Sequence, residues 1–131
     1  MANEVYIVEN SGQAKGYTCA DGIAIAKNTI LELIDPRKVS ANDGSGDVIA
    51  GISAMQKVAS DGSTEISVWT DCIIDVIVAS GASVAVGAYV STSGANVIKT
   101  ATEAEIAAGK ALGKALEAGS DSERIEVRVL L

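Results

Sequence analysis

Histidine and phenylalanine are absent from this chain of 131 residues, and proline and tryptophan occur once each. Without histidine, the commonest general base near neutral pH and the commonest zinc ligand are both missing. Neither a Ser-His-Asp nor a Cys-His arrangement can then be assembled within one chain. No Walker A loop and no G-x-G-x-x-G spacing occurs, so a phosphate cradle has no support. The two cysteines, Cys19 and Cys72, stand outside any C-x-x-C pair. No metal or other cofactor is therefore expected, and free, buried thiols are expected in preference to a disulfide. Clustered cations are missing as well: 10 Lys and Arg are scattered among 17 Asp and Glu, for a net charge of -7. A nucleic-acid surface needs cations grouped against phosphates, and an anionic membrane surface makes a similar demand, so neither partner is expected. The opening MANEVYIVEN has no basic n-region and no useful apolar h-region, so no targeting segment is expected. The most membrane-like window, Cys72 to Val90, is broken by Asp75, Ser80, Gly81, Ser83 and Gly87, so no membrane span is expected.

What is present is apolar and mostly small or β-branched. The apolar fraction of 48% is that of a globular domain, and Ala, Val and Ile supply most of it. A chain of this length can bury roughly two thirds of its unfolded surface and needs no staples. The densest apolar stretch is Thr64 to Gly94. Within it Ile66 and Val68 alternate with Glu65 and Ser67, the period-2 sign of a strand with one wet face. The run Cys72 to Val78 is relieved only by Asp75 and predicts a strand covered on both faces. The fold class expected is mainly β: a compact small β-barrel or β-sandwich-like domain with one short helix.

The rest of the chain fits that frame. Ile30 to Ile34 reads as a strand ended by Asp35 and Pro36. Ser40 to Asp47, SANDGSGD, lacks EF-hand spacing and reads as a plain surface loop. Val48 to Val58 reads as a strand with Gly51 at a bulge or close approach, and Asp61-Gly62 is a hairpin signal. Thr102 and Glu105 have capping-box spacing ahead of a helix ending near Gly109. Leu112 to Ala118 is ambiguous by propensity and is read as a strand from its context. Ile125, Val127, Val129 and Leu131 alternate with Glu126 and Arg128, which predicts a terminal strand with one buried face. Residues 1–16 form either an arm that docks on a partner or an edge strand of the home sheet, and 17–131 form a single β domain.

The chemistry left to such a chain is carboxylate chemistry. On one continuous strand Asp71 and Asp75 share a face, and a pair of acids could serve a glycosidase. A sugar site also wants aromatic platforms, and this chain holds one Trp and three Tyr in all. Asp75 is therefore read as a solvated or subunit-contact residue, and Trp69 as an interface or core anchor. No enzyme activity is expected.

Several pieces, in order, carry a likeness to a known family. They are the small-residue segment Gly22 to Ile34, the strand VIAGISA at Val48 to Ala54, and the strand and turn Cys72 to Gly81. The step Val84-Ala85-Val86-Gly87-Ala88-Tyr89-Val90 follows. Last come Leu112-Gly113-Lys114-Ala115-Leu116-Glu117-Ala118, an acidic turn and the strand Ile125 to Leu131. On these pieces the chain resembles the capsid cement, or head decoration, proteins of tailed bacteriophages. The resemblance implies a homotrimer on the outer capsid surface of the virion, made in the host cytoplasm, that clamps neighbouring subunits of the major capsid protein. It further implies that the N-terminal region touches the capsid through Val5, Tyr6, Ile7 and Val8. The remaining reading of the residues, from a different class, is a small β-type module that binds carbohydrate or protein on a phage or bacterial surface.

Overall fold

A computed structural model describes residues 5–10 and 13–130. The strands, in chain order, are β1 Tyr6–Asn10, β2 Lys15–Thr18, β3 Ile30–Asp35, β4 Lys38–Ala41, β5 Ile49–Ser53, β6 Glu65–Trp69 and β7 Asp71–Val78. They continue with β8 Ser83–Val84, β9 Tyr89–Gly94, β10 Val97–Thr100, the helix α1 Glu103–Ala107, β11 Gly113–Ala115, β12 Gly119–Ser120 and β13 Arg124–Leu130. The fold is mainly β, with one short helix among the described residues.

Two five-stranded barrels result. The first closes in the order β2-β4-β3-β5-β6. The second closes because β7 pairs with both β10 and β13, giving β7-β10-β9-β11-β13 and back to β7. β1 lies antiparallel on β7, outside this ring, so Tyr6–Asn10 is an edge strand. Only Thr70 separates β6 from β7, so the stretch from Glu65 to Val78 is a stave of both barrels in turn. The segment 1–16 thus contains β1 and the first two residues of β2.

The barrels share a core. Ile30, Ile49 and Ile52 of the first barrel lie in the same apolar cluster as Cys72, Ile74, Val76, Val90, Ile98, Val127 and Val129 of the second. A smaller cluster of Cys19, Ile25, Leu31, Val39, Ala50, Ile66 and Val68 fills the first barrel. Polar groups stitch the junction. The Asn42 side chain donates to the Gly94 carbonyl at 2.8 Å, and the Asn96 carboxamide oxygen accepts from the Ile30 N–H at 2.9 Å. The Gly46 N–H donates to the Thr92 carbonyl at 2.8 Å. The segment Ser40 to Asp47 is therefore not a plain surface loop. Asn42 is buried, and its residues join the two barrels because their side chains and backbone meet the β9–β10 turn.

Three further expectations change. β7 alternates rather than being covered on both faces. Cys72, Ile74, Val76 and Val78 are buried, while Asp71, Ile73, Asp75 and Ile77 are half-buried on the outer face. The run looked uniformly apolar because Ile73 and Ile77 occupy that outer face. The strand predicted over Val48 to Val58 ends at Ser53, whose hydroxyl accepts from the Thr29 N–H and donates to the Ala26 carbonyl. Beyond it Lys57 turns inward. Its ammonium donates to the carbonyls of Asp21 and Val58 and to the Asp61 carboxylate at 2.9 Å, so Asp61-Gly62 caps a long connection rather than a tight hairpin. The hydrogen bond from Lys57 holds the Asp61 carboxyl below its ordinary range.

Other expectations hold. Gly51 is a close approach: a Cβ there would meet the Trp69 carbonyl and the Val68 side chain, and the β3–β5 register shifts beside it. Both cysteines are free and buried, and burial pushes the Cys72 thiol up to about 11. Ile125, Val127 and Val129 face the core; Leu131 lies outside the described residues.

The helix forms as its spacing predicts, with a capping box between Thr102 and Glu105. It buries no residue, so apolar packing does not hold it. Glu105 does: its carboxylate accepts from the Thr102 N–H at 2.9 Å, the Ser91 hydroxyl at 3.1 Å and the Lys99 ammonium at 3.0 Å. The Thr102 bond, with those from Lys99 and Ser91, outweighs burial and holds its pKa near 2. The stabilisation from this group is thus fully present above the ordinary pKa of about 4.5 and is lost as pH falls through about 2. Glu105→Gln should lower stability by about 1–2 kcal/mol at neutral pH. Denaturant melts of the two proteins should converge as the pH is taken down through that window.

Candidate docking face

β1 brings two of the predicted contact residues, Tyr6 and Asp75, together with Arg124. Tyr6 pairs with Asp75 across the β1–β7 ladder, because the two strands run antiparallel with Ile7 opposite Ile74. Tyr6 is 47% exposed. The Arg124 guanidinium stacks on its ring, 4.5 Å from the centroid. Arg124 also lies 3.9 Å from the Asp75 carboxylate and donates to the Asp75 carbonyl at 3.4 Å. That carboxylate oxygen is enclosed and, among the described residues, receives no hydrogen bond. A buried oxygen without a donor is costly, and the Arg124 charge 3.9 Å away offsets part of that cost.

Next to this cluster Tyr6, Ile7, Lys27, Asn28, Ala54 and Trp69 line a groove of about 360 Å³. Trp69 is half-buried, packs its inner side on the shared core and sits opposite Ile52. It is both a core anchor and a groove wall. Asn28, at φ 63, carries a second enclosed oxygen with no partner among the described residues.

The predicted arm residues therefore divide. Tyr6 and Ile7 reach the groove, and Val8 is exposed at 51%. Val5 does not present itself to a partner: it is fully buried in the shared core. Arg124 and Asn28 carried no signal in the sequence, because only the β1–β7–β13 register brings Arg124 over Tyr6.

Asp71 and Asp75 do share the outer face of β7. Four residues of strand set them about 13 Å apart along the chain, beyond the spacing of a glycosidase pair. Each is also matched to its own arginine, Asp71 to Arg128 at 3.1 Å and Asp75 to Arg124. A different acidic group was missed: Glu32, Asp43 and Asp47 bring carboxylate oxygens within 4.8 Å of one another. Burial, and then the charge of Asp47, raises the Glu32 carboxyl. Among the described residues no helix is long and apolar enough to cross a membrane.

No protein-family model matches this sequence, and no curated protein matches it. In three dimensions the chain is similar to the head fiber gp8.5 N base in bacteriophage phi29, with a TM-score of 0.54 at 11% identity. The likeness covers 88% of this chain and 93% of that one. At that identity what the two share is a fold: the β architecture that carries the Tyr6–Trp69 groove on its edge.

Proposed function

We propose that this chain is a structural protein of a phage virion. It binds the outer surface of the head and stabilises contacts between major capsid subunits, with the β1 face of Tyr6, Ile7, Val8 and Trp69 turned to the capsid. The observation that carries the reading is the fold it has in common with the base of a phage head fiber, over nearly the whole of both chains. The exposed Tyr6 and Val8 support β1 as the contact surface. On this reading the chain acts by binding alone, as a homotrimer whose linked copies make modest contacts add up. Each bound copy favours the assembled shell by mass action. It needs no nucleic acid and no membrane.

The test is co-sedimentation with isolated heads that lack the protein. The wild-type chain should pellet with heads and raise the temperature at which they release DNA. Tyr6→Ala should weaken binding by about tenfold or more. Its melt should stay close to wild type, since an exposed cation–π contact is worth about 0.5–1 kcal/mol. Binding unchanged by Tyr6→Ala would remove β1 from the contact surface.

A second reading is favoured because the structural neighbour is a fiber base: the chain seats a further appendage on the head. Heads that gain the protein without any gain in thermal resistance would favour that base role over the clamp.

A further inference from the structure

A second groove lies on the outer face of the second barrel, on a different row of the sheet from the Tyr6–Asp75 pair. Its volume is about 510 Å³, and Ile73, Tyr89, Gly113, Lys114, Leu116 and Arg128 line it. That is within the range of binding pockets. The ladder registers explain how it forms. Tyr89 pairs with Lys114, Lys114 with Arg128, and Arg128 with Ile73, so one row runs across β9, β11, β13 and β7.

The row sets two cations directly opposite each other, and such like-charge pairs are destabilising. Asp71 answers Arg128 at 3.1 Å. Lys114 has no ion pair among the described residues. Its ammonium rests over the Tyr89 ring, 5.4 Å from the centroid. With Asp71 on Arg128 and Glu9 opposite Ile73 at the far end of the row, Lys114 is the cation left without a carboxylate among the described residues, with Tyr89 and Leu116 both more than two fifths exposed beside it. An anion there would relieve the Lys114–Arg128 repulsion, and apolar groups on either side of it would cover Tyr89, Leu116 and Ile73.

We propose that this groove docks an extended segment of a second protein in which a carboxylate side chain lies between apolar ones. The carboxylate sits between Lys114 and Arg128, and the flanking apolar side chains rest on Tyr89 and Leu116 on one side and on Ile73 on the other. A fatty acid suits the groove less well, because its anion stands at one end of its apolar part. The site is independent of the capsid reading, and it stands or falls without it.

The test is an NMR titration of the whole chain with blocked pentapeptides. The probe alternates leucine and glutamate; one control replaces the glutamates with lysine, another replaces the leucines with serine, and octanoate is a further arm. The leucine–glutamate peptide should shift the amide resonances of Ile73, Tyr89, Lys114 and Arg128 saturably, and each control and octanoate should bind at least about tenfold more weakly. Lys114→Glu should weaken the probe by a similar factor, with the rest of the spectrum unchanged. No saturable shift at these four residues, equal binding of the lysine peptide or of octanoate, or undiminished binding by Lys114→Glu would overturn the proposal.

Discussion

Gly113→Ala should destabilise the protein by about 3 kcal/mol or more, a fall in Tm of about 10 °C. A Cβ at Gly113 would meet the backbone of Arg128, with the carbonyl carbon at 2.8 Å and its oxygen closer still, and would lie 3.0 Å from the Val129 Cα. Those atoms belong to β13, which β11 pairs through Gly113–Val129, Lys114–Arg128 and Ala115–Val127. Backbone cannot rotate aside as a side chain can. The methyl group must therefore push β11 and β13 apart, and β11 is the strand that bridges β9 and β13 in the ring. Gly22, with no atom within 4 Å of an added Cβ, is the control. Gly22→Ala should change stability by no more than about 0.5 kcal/mol. A melt of Gly113→Ala that overlays the wild type would mean that the two strands do not approach so closely.

Ile52→Ala should cost about 2–5 kcal/mol, and its effect should be felt by both barrels. Ile52 belongs to β5 of the first barrel, is fully buried, and lies in the cluster that holds Ile74, Val76 and Val127 of the second. Asn42 and Asn96 bind the same junction from the polar side. The two barrels should therefore unfold as one cooperative unit. Trp69 fluorescence and far-UV circular dichroism should report a single transition at one denaturant midpoint, shifted together by the substitution. Two transitions, with only one moved by Ile52→Ala, would show that the barrels are separate folding units.

What was legible in the sequence was local. The Thr102–Glu105 box has its partners three residues apart, and the alternation of Ile125, Val127 and Val129 needs only the period of a strand. The Gly51 approach was signalled by a glycine inside an apolar strand. What was hidden depends on which strands become neighbours. Asn42 meets Gly94 across 52 positions of chain, so SANDGSGD gave no sign that it joins two barrels. The outer face of β7 was hidden because isoleucine there looks the same as isoleucine in a core. Val5 read as an anchor like Tyr6, but alternation sends it into the core. The candidate docking face was half legible. Tyr6, Ile7, Trp69 and Asp75 stood out by type, whereas Arg124 joins them only through strand register, as the separate Lys114–Arg128 row does elsewhere on the sheet.

We propose that this fold serves on the outside of a phage head. The most direct measurement is protein identification on purified mature virions, with antibody labelling of intact heads. The chain should be present in stoichiometric amounts on mature heads and accessible to antibody without disruption of the capsid. Its absence from mature heads, in a lysate where the protein is made, would exclude a role on the virion.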